Sequence, residues 1–180
     1  MTTGGDATGA TVLETERLIL RELTMGDLDA LAALYRDPEI RRYFPDGTRT
    51  YDETREELAW IIDVYYVRHG YGLWATVLKE SGAFIGRCGL LPWDIDGRPE
   101  VEVAYLLDRA HWGRGLATEA AAAIAAYAFS TLPVERLICL VDPANQASAR
   151  VATRIGMTLV RDDFVDEYGP AHLYALSRRR

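Results

Sequence analysis

The chain predicts an α/β (α+β) fold: a mixed, mostly antiparallel sheet of about seven strands flanked by about four helices. Three observations carry this. Apolar runs at Tyr71–Leu78, Phe84–Leu91 and Val101–Leu107 follow one another with turn residues between them, the pattern of an antiparallel meander. An alanine-rich segment from Leu116 separates the third run from the apolar stretch Arg136–Val141, and a strand–helix–strand crossover makes those two strands parallel. Met157–Asp163 and His172–Ser177 then close the chain as a second hairpin.

Taken in order, residues 1–10 (MTTGGDATGA) are small and polar and are expected to be disordered. Residues 11–180 form a single domain, with no repeat or linker inside it. Val12–Leu23 reads as the first strand. Thr24 is a helix N-cap, with Asp27 three residues on and Leu28, Leu31, Ala32 and Leu34 at helical spacing. Pro38 and Phe44–Gly47 interrupt that helical region. Tyr51–His69 is a second helix, with an apolar face of Leu58, Ile61, Ile62 and Tyr65 and Gly70 as its terminating glycine. Lys79–Gly82 is the turn of the first hairpin, Pro92–Pro99 a polar turn containing Asp96–Gly97. Asp142–Asn145 is a turn, and Gln146–Ile155 a helix stopped by Gly156.

Composition narrows the function. The chain has 180 residues, 49% of them hydrophobic, and a formal charge of −7, which argues against a general nucleic-acid binder. No apolar run reaches membrane-spanning length and no basic-then-apolar leader opens the sequence, so the expected location is cytoplasmic, away from membranes. Cys88 and Cys139 are too few for a disulfide framework. They and the scattered His69, His111 and His172 show no metal-ligand spacing, so no metal is expected.

The chemistry is centred on Pro99–Ala123. A strand runs into Gly113-Arg114-Gly115, and a helix begins at once. Such a turn offers unpaired N–H groups at the positive end of a helix dipole, a cradle for phosphate or pyrophosphate. The lysine of a P-loop is missing, which disfavours a nucleotide triphosphatase.

The run Trp112-Gly113-Arg114-Gly115-Leu116-Ala117-Thr118-Glu119-Ala120 resembles the acetyl-coenzyme-A signature of the GNAT N-acetyltransferase superfamily, most closely its RimJ/RimL-type branch. Ile85-Gly86 with Gly89, Glu102 to Tyr105 before Leu107-Asp108, Asp142-Pro143-x-Asn145-x-x-Ser148-x-Arg150, and Gly156 agree with it in order. The resemblance implies acetyl-CoA as co-substrate. Its pyrophosphate would lie on the amides of Gly113, Arg114, Gly115, Leu116, Ala117 and Thr118. Its pantetheine arm would lie along Tyr105, Leu106 and Leu107 where the strand splays from its parallel neighbour, with Asn145 touching the arm. Asn145 also reads as a plain turn residue.

Acetyl transfer to an amine needs a proton acceptor, a polarised carbonyl and a proton for the departing thiolate. Glu102 is the candidate base, directly or through water; alternation places it opposite Val101 and Val103, where it also reads as a solvent-facing or structural carboxylate. The helix position where many relatives carry a tyrosine acid is Ala152. Ser148 is the candidate at the sulfur, or a helix cap. Arg150 reads equally as a phosphate partner or as helix surface. Tyr43, Phe44, Trp60 and Trp93 are candidates for the acceptor mouth, and Asp162, Asp163, Asp166 and Glu167 for an acidic patch. The resemblance implies direct transfer to a primary amine, a peptide N-terminus or a small molecule, by a monomer or homodimer. A non-catalytic acyl-CoA-binding regulatory domain is the rival reading.

Overall fold

A computed structural model describes residues 9–166 and 169–178. The expectation for residues 1–8 and the candidate Glu167 lie outside them. The sheet has eight strands: β1 (Thr11–Glu14), β2 (Leu18–Glu22), β3 (Leu73–Leu78), β4 (Ala83–Ile95), β5 (Arg98–Leu107), β6 (Arg136–Val141), β7 (Thr158–Asp166) and β8 (Gly169–Ser177). Their order is β1-β2-β3-β4-β5-β6-β8-β7, and among the described residues only β5–β6 is parallel. The predicted class holds, with two corrections. The single strand expected over Val12–Leu23 is a hairpin, because the Thr15 carbonyl–amide region turns: Thr15 N–H bonds to the Leu18 carbonyl at 2.9 Å. Ala10 belongs to this ordered edge, its carbonyl accepting from Glu22 N–H at 2.8 Å. The polar turn expected over Pro92–Pro99 shrinks to Asp96-Gly97, since β4 and β5 stay paired out to Ile95–Arg98. Both residues of that turn take positive φ, as a tight hairpin requires.

Thr24 and Asp27 form a capping box over a 3-10 turn that leads into α1 (Leu28–Arg36), and Thr50 and Glu53 form another at the start of α2 (Tyr51–Trp60). The expected helix Tyr51–His69 is one rod interrupted by a π-helical turn over Ile61–Tyr65, after which α3 (Tyr66–His69) ends at left-handed Gly70. The crossover helix is α4 (Leu116–Thr131), and α5 (Gln146–Arg154) follows β6.

Side-chain alternation on the strands builds three apolar clusters among the described residues, the smallest of them Ile95, Ile138, Phe164, Leu173 and Ala175. Leu18, Leu20, Trp74, Cys88, Leu90 and Val103 face α4, whose alanines allow close approach. Leu73, Ala75 and Leu106 face α1 and α2 through Leu31, Tyr35 and Leu58. Burial of this kind contributes roughly 25 cal/mol per Å² of apolar surface and holds the sheet between its helices. No helix among the described residues is long and apolar enough to cross a membrane.

Gly86 makes β5 accessible to β4. A β-carbon there would stand 2.2 Å from the Leu106 carbonyl oxygen and 2.8 Å from Leu107 Cα, at φ +154. Gly86→Ala is therefore expected to cost about 2–3 kcal/mol by overpacking, a fall of roughly 4–12 °C in a thermal melt of a domain this size. An unchanged melting temperature would show that β5 can move aside.

Candidate active site

Where β5 and β6 run parallel they meet at one register pair, Glu102↔Ile138, whereas β4 and β5 pair over ten. The closed end is held by Glu100, which is buried and bound by the Arg136 guanidinium, with Arg136 Nε at 3.0 Å from both carboxylate oxygens. Beyond Glu102 the strands part. The Leu140 amide, next along β6, donates to Glu102 Oε1 at 3.1 Å, so a side chain takes the place of the missing ladder bond. Trp93 Nε1 donates to Glu102 Oε2 at 2.6 Å. Glu102 is only 7% exposed. It does lie opposite Val101 and Val103, but that face is covered, which overturns the solvent-facing alternative.

The turn after β5 forms one wall. Asp108 caps a short 3-10 turn, and the Trp112 indole donates to the Leu107 carbonyl at 2.8 Å. Gly113 and Gly115 take φ 73 and 78, and Gly115 is the N-cap residue of α4. No atom lies within 4 Å of where a Gly113 side chain would begin, so the approach to the first-turn amides is open. In any helix those first amides have no partner within the helix.

Sequence reasoning missed what fixes this turn. Glu119, in the first turn of α4, accepts from Thr15 Oγ1 at 2.6 Å, from Arg17 N–H at 2.9 Å and from Arg17 Nε at 2.7 Å. Arg17 Nη1 also donates to the Arg114 carbonyl at 2.9 Å. The β1–β2 hairpin thus pins the cradle from outside. Glu119 stands in the motif, but a partner 102 positions away leaves no local signal.

Burial pushes the Glu119 carboxyl up, and the Thr15 and Arg17 bonds outweigh it, leaving it below its ordinary value of 4.5. Asp27 behaves alike: burial raises it, and bonds from Arg21 and Thr24 outweigh that and leave it lowered. A carboxyl depressed in the folded state stabilises the fold above its ordinary value and ceases to as pH falls through the folded one. Stability in urea should therefore drop below about pH 4.5, with a shallower drop in Glu119→Gln. Equal slopes in the two proteins would show that Glu119 contributes nothing to it.

Across the notch, Asn145 caps α5, its Oδ1 accepting from Ser148 N–H at 3.0 Å. The cap is therefore Asn145, which corrects the reading of Ser148 as a cap. The Tyr105 hydroxyl lies 3.0 Å from both the Ser148 hydroxyl and the Ser148 carbonyl, and 3.6 Å from the Cys139 sulfur. Burial pushes the Tyr105 phenol and the Cys139 thiol far up, so both are neutral. The sequence points to Tyr105 for its backbone alone; the contact of its side chain with Ser148 leaves no local signal, because the two are 43 residues apart. Ala152 is fully buried in the α4-side core.

A cavity of ≈ 1480 Å³ joins these walls. It is lined by Glu102, Tyr105, Leu106, Leu107, Gly113, Gly115, Leu116, Ala117, Thr118, Asn145 and Ser148, together with Arg150. Arg114 is the one predicted cofactor residue that does not line it; its side chain points to exposed Glu80. The acceptor candidates Tyr43, Phe44, Trp60 and Trp93 do line it, whereas Asp162 and Asp163 do not. No group of three or more His, Cys, Asp or Glu side chains among the described residues is placed to hold a metal.

A splayed parallel pair and a glycine cradle at the start of the crossover helix thus open on one cavity. The chain belongs to the GNAT acetyltransferases: the model for the acetyltransferase (GNAT) domain matches residues 17–158. It is 37% identical over 150 residues to the uncharacterized protein YkkB of Bacillus subtilis, covering 82% of this chain and 85% of YkkB. An acetyltransferase from Agrobacterium tumefaciens superposes with a TM-score of 0.78 at 32% identity, covering 92% of this chain and 94% of that one. RimL, the ribosomal L7/L12 alpha-N-protein acetyltransferase, superposes at TM-score 0.79 over 98% of this chain and 99% of its own. Its 18% identity shows a shared fold. Acetyl-CoA is the co-substrate of the family.

Proposed function

We propose that this protein transfers an acetyl group from acetyl-CoA directly to a primary amine, both bound at once. The observation that supports this best is the notch: one register pair, then backbone groups of β5 left without β6 partners and opening on the cavity. Such groups need partners, and an extended amide-bearing arm supplies them as an added strand would. The open cradle at Gly113–Thr118 suits the pyrophosphate at the far end of that arm. Bound acetyl-CoA supplies a thioester, whose acyl carbon is the electrophile.

Glu102 takes the proton that the amine nitrogen loses as it bonds to the acyl carbon, directly or through one water. An amide of the Tyr105–Leu107 strand polarises the carbonyl oxygen. As the carbon–sulfur bond breaks, the Ser148 hydroxyl donates a hydrogen bond to the departing thiolate, which takes its proton from solvent while Glu102 returns its own there, and the Tyr105 hydroxyl holds Ser148 in place. Ser148→Ala should lower kcat by about ten- to a hundredfold with the KM for acetyl-CoA little changed; normal turnover would remove the serine from this role. A peptide N-terminus or a small amine fits as acceptor, and the RimL-type fold leaves both open.

The test is release of coenzyme A thiol over a panel of peptides and small amines, with products identified by mass spectrometry. Acceptor-dependent release is expected. Tight acetyl-CoA binding with no release above background for any acceptor would favour the non-catalytic regulatory domain instead.

A further inference from the structure

On the face of the sheet under α1 and α2, the cavity is also lined by residues that the acetyl-transfer arrangement does not use. One is Arg87 of β4, 5% exposed. Register puts it there: Arg87 stands between Ala75 of β3 and Leu106 of β5, both in the core beneath α1 and α2. A charged side chain at the centre of a sheet is rare unless its charge is answered.

Here it is answered only in part. Arg87 Nε donates to the Tyr35 hydroxyl at 2.7 Å, and Tyr35 donates onward to Glu57 Oε1 at 2.8 Å. Neither terminal nitrogen of Arg87 has a partner among the described residues, and neither is sealed away from the cavity that Arg87 lines. The nearby carboxylates are engaged elsewhere. Glu57 Oε2 lies 3.0 Å from Arg49 Nε, and Asp46 pairs with Arg41 and, at 2.6 Å, with Arg49. Arg41, itself buried, shares two aromatic rings with Arg87. Its guanidinium carbon is 4.9 Å from the Tyr35 ring centre and 4.3 Å from that of Phe44, against 5.6 and 5.8 Å for Arg87. Among the described residues, the carboxylates that answer Arg41, Arg49 and Arg87 are thus Asp46 and Glu57. A Tyr35 phenolate could have balanced the extra charge, but burial above all pushes that hydroxyl up to about 12, so it stays protonated.

We propose that the acceptor amine carries a carboxylate, and that Arg87 binds this carboxylate through its two free terminal nitrogens. A guanidinium fork matches a carboxylate's two oxygens, and the pairing is strongest where water is excluded. This rests on the acetyltransferase reading above. Glu102 and Leu106, the latter opposite Arg87, lie on one face of β5 and about 13 Å apart along the strand. An amine near Glu102 and an anion at Arg87 are therefore joined through a molecule of amino-acid to dipeptide size, or through the first residues of a peptide.

The experiment compares matched acceptors: glycine, phenylalanine, glycylglycine and glycylphenylalanine, each against its C-terminal amide. A peptide amide with aspartate or asparagine at its second position tests an acidic side chain as the source of the carboxylate. The amides have the more easily deprotonated amine, so a preference for the acid runs against intrinsic reactivity. At least one acid should exceed its neutral partner by about 30-fold or more in kcat/KM, and Arg87→Met should bring that ratio close to one. Arg87→Lys, which keeps the charge without the fork, should fall between. Acetyl-CoA affinity serves as the check that the variants fold. Equal use of acid and neutral acceptors by the wild type overturns the proposal, as does a preference that survives Arg87→Met. If no amine is acetylated the transferase reading falls, and calorimetry then decides the Arg87 site alone. With coenzyme A present, tighter binding of N-acetylglycine or N-acetylphenylalanine than of their amides supports it, and equal binding overturns it.

Discussion

Glu102→Gln is expected to lower kcat/KM by about 10²–10⁴, the range for removing a positioned general base, and to abolish the acidic limb of the pH–rate profile. The side chain it replaces accepts hydrogen bonds from the Trp93 indole and the Leu140 amide. A glutamine has one acceptor oxygen, so its NH₂ must meet one of those two donors. Leaving a buried donor unsatisfied costs about 1–3 kcal/mol, and a loss of that order should appear in urea unfolding. Two roles are separable by measurement. If Glu102 only wedges the notch, the variant binds acetyl-CoA more weakly while its pH profile keeps its shape. Full turnover across pH would sink both the base and the wedge.

Thr118→Asp is expected to weaken acetyl-CoA binding by about a hundredfold or more, without weakening the fold. Thr118 is the third residue of α4, and lines the cavity. A carboxylate in the first turn of a helix favours the dipole by about 0.3–1 kcal/mol, so the melting temperature should hold or rise. The same carboxylate opposes a pyrophosphate at the first-turn amides, at about 4 kcal/mol for like charges 4 Å apart near a protein surface. Thr118→Asn, equal in size and uncharged, separates charge from bulk. Calorimetry with acetyl-CoA reads the outcome; an unchanged affinity in Thr118→Asp would move the pyrophosphate away from this turn.

Much of the scaffold is legible locally. The Thr24 cap, the Gly70 stop, the meander of β3, β4 and β5 and the parallel β6 all follow from spacing and turn chemistry within a few residues. Errors fall where a local signal is weak. Val12–Leu23 hides its hairpin because Thr15–Arg17 carries no glycine or proline, and Pro92 sits inside β4 although proline usually marks an end. The π-helical turn at Ile61–Tyr65 leaves the apolar spacing intact, so periodicity passes over it.

By itself, then, the sequence determined the class of fold and the cavity wall that one continuous segment builds, from Tyr105 to Thr118, since a strand, its turn and the following helix are neighbours along the chain. Only the tertiary structure decided how that half is held and what it faces. Arg17 reaches Glu119, Tyr105 reaches Ser148, and Arg87 reaches Tyr35 across 102, 43 and 52 positions. Single residues give no sign of such pairings. Each depends on which faces of the sheet are covered, and that is settled when the strands pair and the helices pack.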